Sequence, residues 1–67
     1  PNPTFNQAKI NIEGSKYIQV FDALGNKVVE NNMINEFVLT KEEIGSGLFF
    51  IRIFDENSTS YSKLIIN

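Results

Sequence analysis

The chain has 67 residues, with six Lys and Arg against eight Asp and Glu, and its net charge is −2 at pH 7. It contains no Cys and no His, which excludes disulfides, thiolate or imidazole metal sites and nucleophile–histidine catalysis. A nucleic-acid-binding domain normally carries a basic surplus, and this chain has none. Because 42% of its residues are apolar, too many for a disordered tail, the composition predicts one small folded domain. The composition also argues against an enzyme.

The two ends of the sequence bear on its origin. It begins with Pro1 and has neither the basic segment nor the apolar segment of a signal peptide. Its apolar runs are far too short to cross a bilayer. We expect residues 1–67 to form a single domain that is a fragment of a larger protein, and the absence of Cys leaves its compartment open.

Short alternating runs separated by turn residues predict an all-β fold. The runs cover residues 8–12, 17–21, 27–29, 37–39, 48–54 and 61–66. Gly14 and Ser15 are expected to break the first run from the second, and Asn31, Asn32 and Asn35 to separate the third from the fourth. The prediction is an antiparallel β-sandwich or partly open barrel of about six short strands.

Two local signals predict the connections between strands. Asp22 is expected to accept hydrogen bonds from backbone N–H groups in an Asx turn, and Gly25 to take the positive φ that a hairpin needs. Thr40 and Glu43 have capping-box spacing, which predicts one short helical turn before Gly45.

The run at 48–54 is the strongest strand. It has Phe49, Ile51 and Ile53 on one face and Leu48, Phe50, Arg52 and Phe54 on the other. This pattern predicts a central strand that is buried on both faces. The alternative is that the second face is an exposed binding patch, which Arg52 interrupts.

No constellation of side chains predicts catalysis. Two carboxylates placed across a cleft are required for glycoside hydrolysis, whereas Asp22, Asp55, Glu42 and Glu43 all fall in predicted turns. Calcium stays a weak alternative at Asp22 with Asn26, or at residues 55–57, because neither cluster has the spacing of a dedicated loop. Asn57 begins a glycosylation sequon, but that tripeptide is also natural in a hairpin turn.

The order of motifs along the chain resembles the C-terminal sorting domain of the type IX secretion system, a module that ends many exported proteins of Bacteroidota. The resemblance covers essentially the whole chain, although each motif is weak alone. The matching residues, in order, are Pro1, Asn2 and Pro3; Val20, Phe21 and Asp22; Gly25; Gly47, Leu48 and Phe49 to Ile53; and Lys63, Leu64, Ile65 and Ile66. The family often has Tyr where Phe49 stands.

The resemblance implies an Ig-like antiparallel β-sandwich of about six to seven short strands that acts as a non-catalytic, cofactor-free address label. The implied partners are an upstream cargo domain, the outer-membrane translocon and a sortase-like surface peptidase that removes the domain and anchors the cargo. The implied route is through the periplasm to the cell surface or the medium.

We expect the translocon to recognise the last strand, with Lys63, Leu64, Ile65 and Ile66 carrying the signal, because a terminal strand often lies at a sheet edge and can join another sheet. This expectation assumes that the domain has no deep pocket and no charge patch. Pro1, Asn2, Pro3, Asp22, Gly25, Gly47 and Phe49 are expected to have structural roles.

Three other interpretations stay open. An accessory β-sandwich could bind carbohydrate or stabilise a neighbouring catalytic domain, although the chain has no Trp to stack on a sugar. A stalk or adhesion repeat would occur in tandem copies. Homodimers could form by pairing of edge strands.

Overall fold

The computed structural model of the chain describes residues 4–5 and 7–67, so Pro1, Asn2 and Pro3 lie outside the described residues. Five strands and one short helix follow one another along this part of the chain: β1 (Thr4–Phe5), β2 (Gln7–Asp22), β3 (Lys27–Thr40), α1 (Lys41–Ile44), β4 (Gly47–Phe54) and β5 (Thr59–Ile66). No helix within these residues is long and apolar enough to cross a membrane.

The strands form one sheet in the order β1-β5-β4-β2-β3. The β2–β3, β2–β4 and β4–β5 pairs are antiparallel, whereas β1 pairs with β5 in parallel. The all-β prediction is confirmed, and the strand at 48–54 lies inside the sheet as expected. The number of strands is lower than the predicted six to seven.

The first two predicted strands are one strand because Gly14 bends β2 without ending its pairing with β3. Across the bend, β2 advances from Asn11 to Ser15 while β3 moves only from Glu36 to Ile34. Gly14 takes a φ of 75° and Asn35, opposite, a φ of 64°. The Gly14 N–H donates a hydrogen bond to Asn35 Oδ1 at 3.3 Å. The residues expected to interrupt the strands therefore form a β-bulge that bends the hairpin.

Asn31 and Asn32 likewise continue β3 rather than ending it. They pair with Ile18 and Tyr17 of β2, and their side chains are exposed. Because strand pairing satisfies their backbone groups and water reaches their amides, the local preference of Asn for turns is overridden.

The hydrophobic core lies on one face of the sheet. Among residues 7–67, its nine buried members come from four strands: Ile18 and Val20 of β2, Met33 and Leu39 of β3, Phe49, Ile51 and Ile53 of β4, and Leu64 and Ile66 of β5. Ile10, Ile12 and Phe37, which lie beyond the bulge, pack against this cluster. The far half of the β2–β3 hairpin therefore folds over the near half, and one bent sheet supplies both layers of the core.

The prediction that β4 is buried on both faces is wrong. Phe49, Ile51 and Ile53 are buried, but Phe50 is 44% exposed on the opposite face. The reason is that the hairpin bends toward one face of the sheet, and no described element covers the other. On the face that the alternative predicted to be exposed, Phe50 is exposed, whereas Leu48, Arg52 and Phe54 are half-buried.

The predicted helical turn is confirmed at α1. Thr40 is the N-cap, and its Oγ1 accepts a hydrogen bond from the Glu43 N–H at 3.3 Å and donates one to Glu43 Oε1 at 3.0 Å. The Gly45 N–H closes the turn on the Lys41 carbonyl at 2.7 Å. Capping in both directions explains why a helix of one turn forms here.

The turn between β2 and β3 also matches its prediction. Asp22 Oδ1 accepts hydrogen bonds from the N–H groups of Leu24, at 3.0 Å, and Asn26, at 2.9 Å. Gly25 has a φ of 91°, and a Cβ built there would meet nothing within 4 Å. Backbone strain, rather than a steric clash, therefore reserves this position for glycine.

We predict that Gly25→Val destabilises the domain by roughly 1–3 kcal/mol, because a β-branched residue tolerates positive φ poorly. Thermal unfolding followed by circular dichroism measures the change in Tm. Ala23→Val, an exposed change in the same turn, is the matched control and should leave the Tm almost unchanged. An equal Tm for Gly25→Val and the wild type would contradict the prediction.

The turn between β4 and β5 is held to β2 by an ion pair. The Lys16 ammonium donates to Asp55 Oδ2, and Asp55 Oδ1 accepts from the N–H groups of Asn57, at 2.8 Å, and Ser58, at 2.9 Å. These donors, Lys16 above all, lower the pKa of Asp55 to about 2. The pair contributes stability that is present above about pH 4 and is lost as the pH falls toward 2.

We predict that Lys16→Gln raises the pKa of Asp55 toward its usual value, since the ammonium is the largest cause of the lowering and only neutral donors from Asn57 and Ser58 would remain. The stability lost in this variant should be largest near neutral pH and should shrink between pH 4 and 2. Carboxyl carbon NMR titration and denaturant unfolding measure these two effects. Lys27→Gln is the matched control, because Lys27 pairs with Glu30 and its loss should leave Asp55 unaffected.

Candidate recognition surface

The last strand presents two kinds of side chain. Leu64 and Ile66 point into the core and are 6% and 1% exposed, whereas Lys63 is exposed and Ile65 is 42% exposed. The four residues predicted to carry the signal therefore divide into an anchoring pair and an exposed pair. Of these four residues, only Lys63 and Ile65 have side chains that a partner can contact.

The backbone edge of β5 is divided in the same region. Thr4 and Phe5 of β1 pair with Ile65 and Ile66, on the side of β5 away from β4. Among the described residues, the rest of that edge, from Thr59 to Leu64, has no neighbouring strand. Within the part of the chain that the structure describes, this stretch of β5 is therefore the edge that a partner strand would join.

The other motif residues occupy structural positions. Asp22 and Gly25 build the β2–β3 turn, Gly47 begins β4 with a φ of 133°, and Phe49 is 3% exposed in the core. Four hydrogen-bond contributions from Asn26, Leu24 and Gly25, led by the Asn26 N–H, lower the pKa of Asp22, and desolvation opposes them. Its carboxylate therefore remains an acceptor for the turn.

The face of the sheet opposite the core is rich in aromatic side chains. Tyr17, Phe21, Phe50, Phe54 and Tyr61 all point to this side, and we call the surface they form the outer aromatic face. Tyr17 is 53% and Tyr61 75% exposed. Tyr17 and Phe54 stack with their ring centroids 5.5 Å apart. The surface is an apolar patch of the kind that marks binding sites.

A row of polar side chains crosses the outer aromatic face. Arg52 Nη1 donates to Gln19 Oε1 at 2.9 Å, and Gln19 Nε2 donates to Glu30 Oε2 at 2.9 Å. Lys27 Nζ then donates to Glu30 Oε1 at 2.7 Å. The hydrogen bond from Lys27, followed by that from Gln19, lowers the pKa of Glu30. The row links three neighbouring strands and fixes the orientation of Arg52.

Arg52 is held from a second direction by Phe54. Its guanidinium carbon lies 4.0 Å from the centroid of the Phe54 ring, which is a cation–π contact. Lys63 lies directly across the β4–β5 pair from Phe50. Within the described residues, neither Arg52 nor Lys63 forms an ion pair with a carboxylate.

One end of the outer aromatic face contains a cavity of about 270 Å³. Phe21, Phe50, Arg52, Tyr61 and Ser62 line it, together with residues of the β2–β3 turn. The expectation of no deep pocket and no charge patch did not anticipate this open cavity. Its sequence signal was the second face of the 48–54 run, which the bent hairpin leaves uncovered.

Neither weak calcium candidate has a set of converging carboxylates. Asp22 and Asp55 lie in separate turns and accept hydrogen bonds from their own backbone. No group of three or more acidic side chains that could hold a metal ion occurs among residues 7–67. Asn57 of the sequon is exposed in the turn before β5.

Comparison with known proteins gives one match. The family described as the secretion system C-terminal sorting domain matches residues 1–67, which is the entire chain. No curated protein and no solved structure matches. Members of this family are C-terminal sorting signals of type IX secretion, which directs proteins across the outer membrane to the cell surface or the medium. On the match over its full length, the chain belongs to the family of secretion system C-terminal sorting domains.

Proposed function

We propose that the domain is a non-catalytic label whose last strand is read by the type IX translocon. The observation that carries this proposal is the match to the sorting family over residues 1–67. Among the described residues, no second strand pairs with β5 between Thr59 and Leu64, which supports recognition by strand addition at this edge. Lys63 and Ile65 supply exposed side chains in the same strand.

The further steps of the proposal concern the cargo. An upstream cargo domain travels with the label through the periplasm. A sortase-like surface peptidase then removes the label and anchors the cargo at the cell surface. Mass spectrometry of a fused reporter recovered from cells would test this step, since it distinguishes a reporter that has lost residues 1–67 from one that has kept them.

A competing function is an accessory module that binds carbohydrate. Exposed Tyr17 and Tyr61 on the outer aromatic face favour it, because aromatic rings stack on sugars. The sorting function has the stronger support, since the family match concerns export and covers the whole chain.

The test is the export of a fluorescent protein fused ahead of residues 1–67 in cells with an active type IX system. Deletion of residues 63–67 would remove Leu64 and Ile66 from the core, so a loss of export could come from unfolding. Substitution of the exposed pair avoids this problem. We predict that Lys63→Glu with Ile65→Ser lowers the exported fraction about fivefold or more while the Tm stays close to that of the wild type.

The matched control is Lys41→Glu with Ile34→Ser, because both residues are exposed and lie away from β5. It makes the same changes in charge and hydrophobicity and should leave export unchanged. If the β5 variant is folded and exported as well as this control, recognition through the last strand is wrong. If the wild-type fusion is folded but stays in the periplasm, the sorting function itself is contradicted.

A further inference from the structure

We propose that the outer aromatic face binds an extended peptide segment of its partner in which a bulky apolar side chain is flanked by carboxylates. The apolar side chain enters the cavity beside Phe21 and Phe50, and the carboxylates pair with Arg52 and Lys63. This inference rests on the proposed function, because it names the chemistry of the partner that reads the domain.

The cavity has the size and the lining for one large apolar side chain. Its volume is about 270 Å³, whereas an engineered protein cavity of about 150 Å³ holds a benzene molecule. Phe21, Phe50 and Tyr61 line it with aromatic side chains. Burial of an aromatic or branched side chain here removes apolar surface of both partners from water.

The charge beside the cavity selects an acidic partner. Arg52 lines the cavity, and Lys63 lies across the strand pair from Phe50. Two carboxylates lie nearby: Glu30 accepts from Lys27 and Gln19, and Asp22, which also lines the cavity, accepts from the N–H groups of its own turn. Among residues 7–67, Arg52 and Lys63 are thus two cations on this surface that form no ion pair, on a chain whose net charge is −2.

Arg52 is oriented before any partner arrives. Gln19 holds one of its nitrogens at 2.9 Å, and the Phe54 ring lies under its guanidinium at 4.0 Å. A planar guanidinium presents several N–H donors that match the geometry of a carboxylate. Because these contacts already fix the rotamer of Arg52, it loses less side-chain entropy on pairing with a carboxylate than an unrestrained arginine would.

The same features disfavour two other occupants. If two copies of this chain paired through this face, the cations Arg52 and Lys63 of one copy would approach the same cations of the other. A sugar would need partners for the hydroxyls around its ring, and beyond Arg52, Asp22, Tyr61 and Ser62 the cavity wall is apolar or backbone. An acidic peptide with one bulky apolar residue satisfies both the cavity and the charges.

The experiment is a titration of residues 1–67 with the peptide GSEFEGS, followed by tyrosine fluorescence and by amide NMR. The chain has two Tyr and no Trp, and both Tyr lie on the outer aromatic face, so the emission reports on this surface alone. We expect quenching together with shifts of the Phe50, Arg52 and Tyr61 amides. The peptides GSKFKGS and GSESEGS, which lack the carboxylates or the ring, should bind at least about fivefold more weakly.

Variants of the domain test the same contacts. Arg52→Gln should weaken the binding of GSEFEGS about fivefold or more. If this variant fails to fold, Lys63→Gln tests the same prediction and should also weaken the binding of GSEFEGS. Lys9→Gln is the matched control, because Lys9 pairs with Glu36 on the far half of the hairpin and should not affect binding.

Several results would overturn the inference. They are equal binding of GSEFEGS and GSKFKGS, no response to millimolar GSEFEGS, quenching by a soluble glucan oligosaccharide in place of the peptide, or self-association that protects both Tyr. Failure here alongside a loss of export in the β5 variant would reject this surface and leave the sorting function intact. Peptide binding by a domain that exports no reporter would reject the sorting function instead.

Discussion

The contact between the sheet and its own bent hairpin is the interaction on which the rest of the structure depends. A chain of 67 residues buries a smaller fraction of its surface than a larger domain does, and the buried side chains of this one form a single cluster on one face of the sheet. The bulge at Gly14 and Asn35 folds the far half of β2 and β3 over Ile18 and Val20. That layer closes the core on one side of the sheet and leaves the opposite side to solvent. The exposed aromatic side chains follow from this geometry.

Local structure could be predicted from the sequence where short-range chemistry decides it. The Asx turn at Asp22, the positive φ of Gly25 and the cap at Thr40 each depend on residues within a few positions of one another. The inward alternation of Phe49, Ile51 and Ile53 was equally readable, because the side chains of a strand alternate between its two faces.

Features that depend on distant pairing could not be predicted. Gly14 has the sequence signature of a strand break, and only its pairing opposite Asn35 turns it into a bulge within a longer strand. Phe50 and Phe54 alternate in the same way in a strand buried on both sides and in a strand with one open face. Which face is covered depends on the direction in which the hairpin bends, and that direction cannot be predicted from the sequence of one strand.

The candidate surface shows the same division. The identity of Lys63 as an exposed cation near the end of the chain was accessible from alternation alone. The orientation of Arg52 was not, because it requires Gln19 from β2 and Glu30 from β3 to lie in one row with it. The sheet thereby brings Arg52 and Lys63 to one face of a chain whose net charge is −2.

The parallel pairing of β1 with β5 has a mechanical consequence for the complete protein. Thr4 and Phe5 lie beside Ile65 and Ile66, so polypeptide that reaches Thr4 arrives next to the last strand. The pairing of β1 with β5 is only two residues long, and each backbone hydrogen bond contributes about 1 kcal/mol. A partner strand that extends along β5 beyond Leu64 must displace β1 from this edge. Tension on the polypeptide ahead of Thr4 and binding of a partner to β5 thus act on the same short β1–β5 pairing.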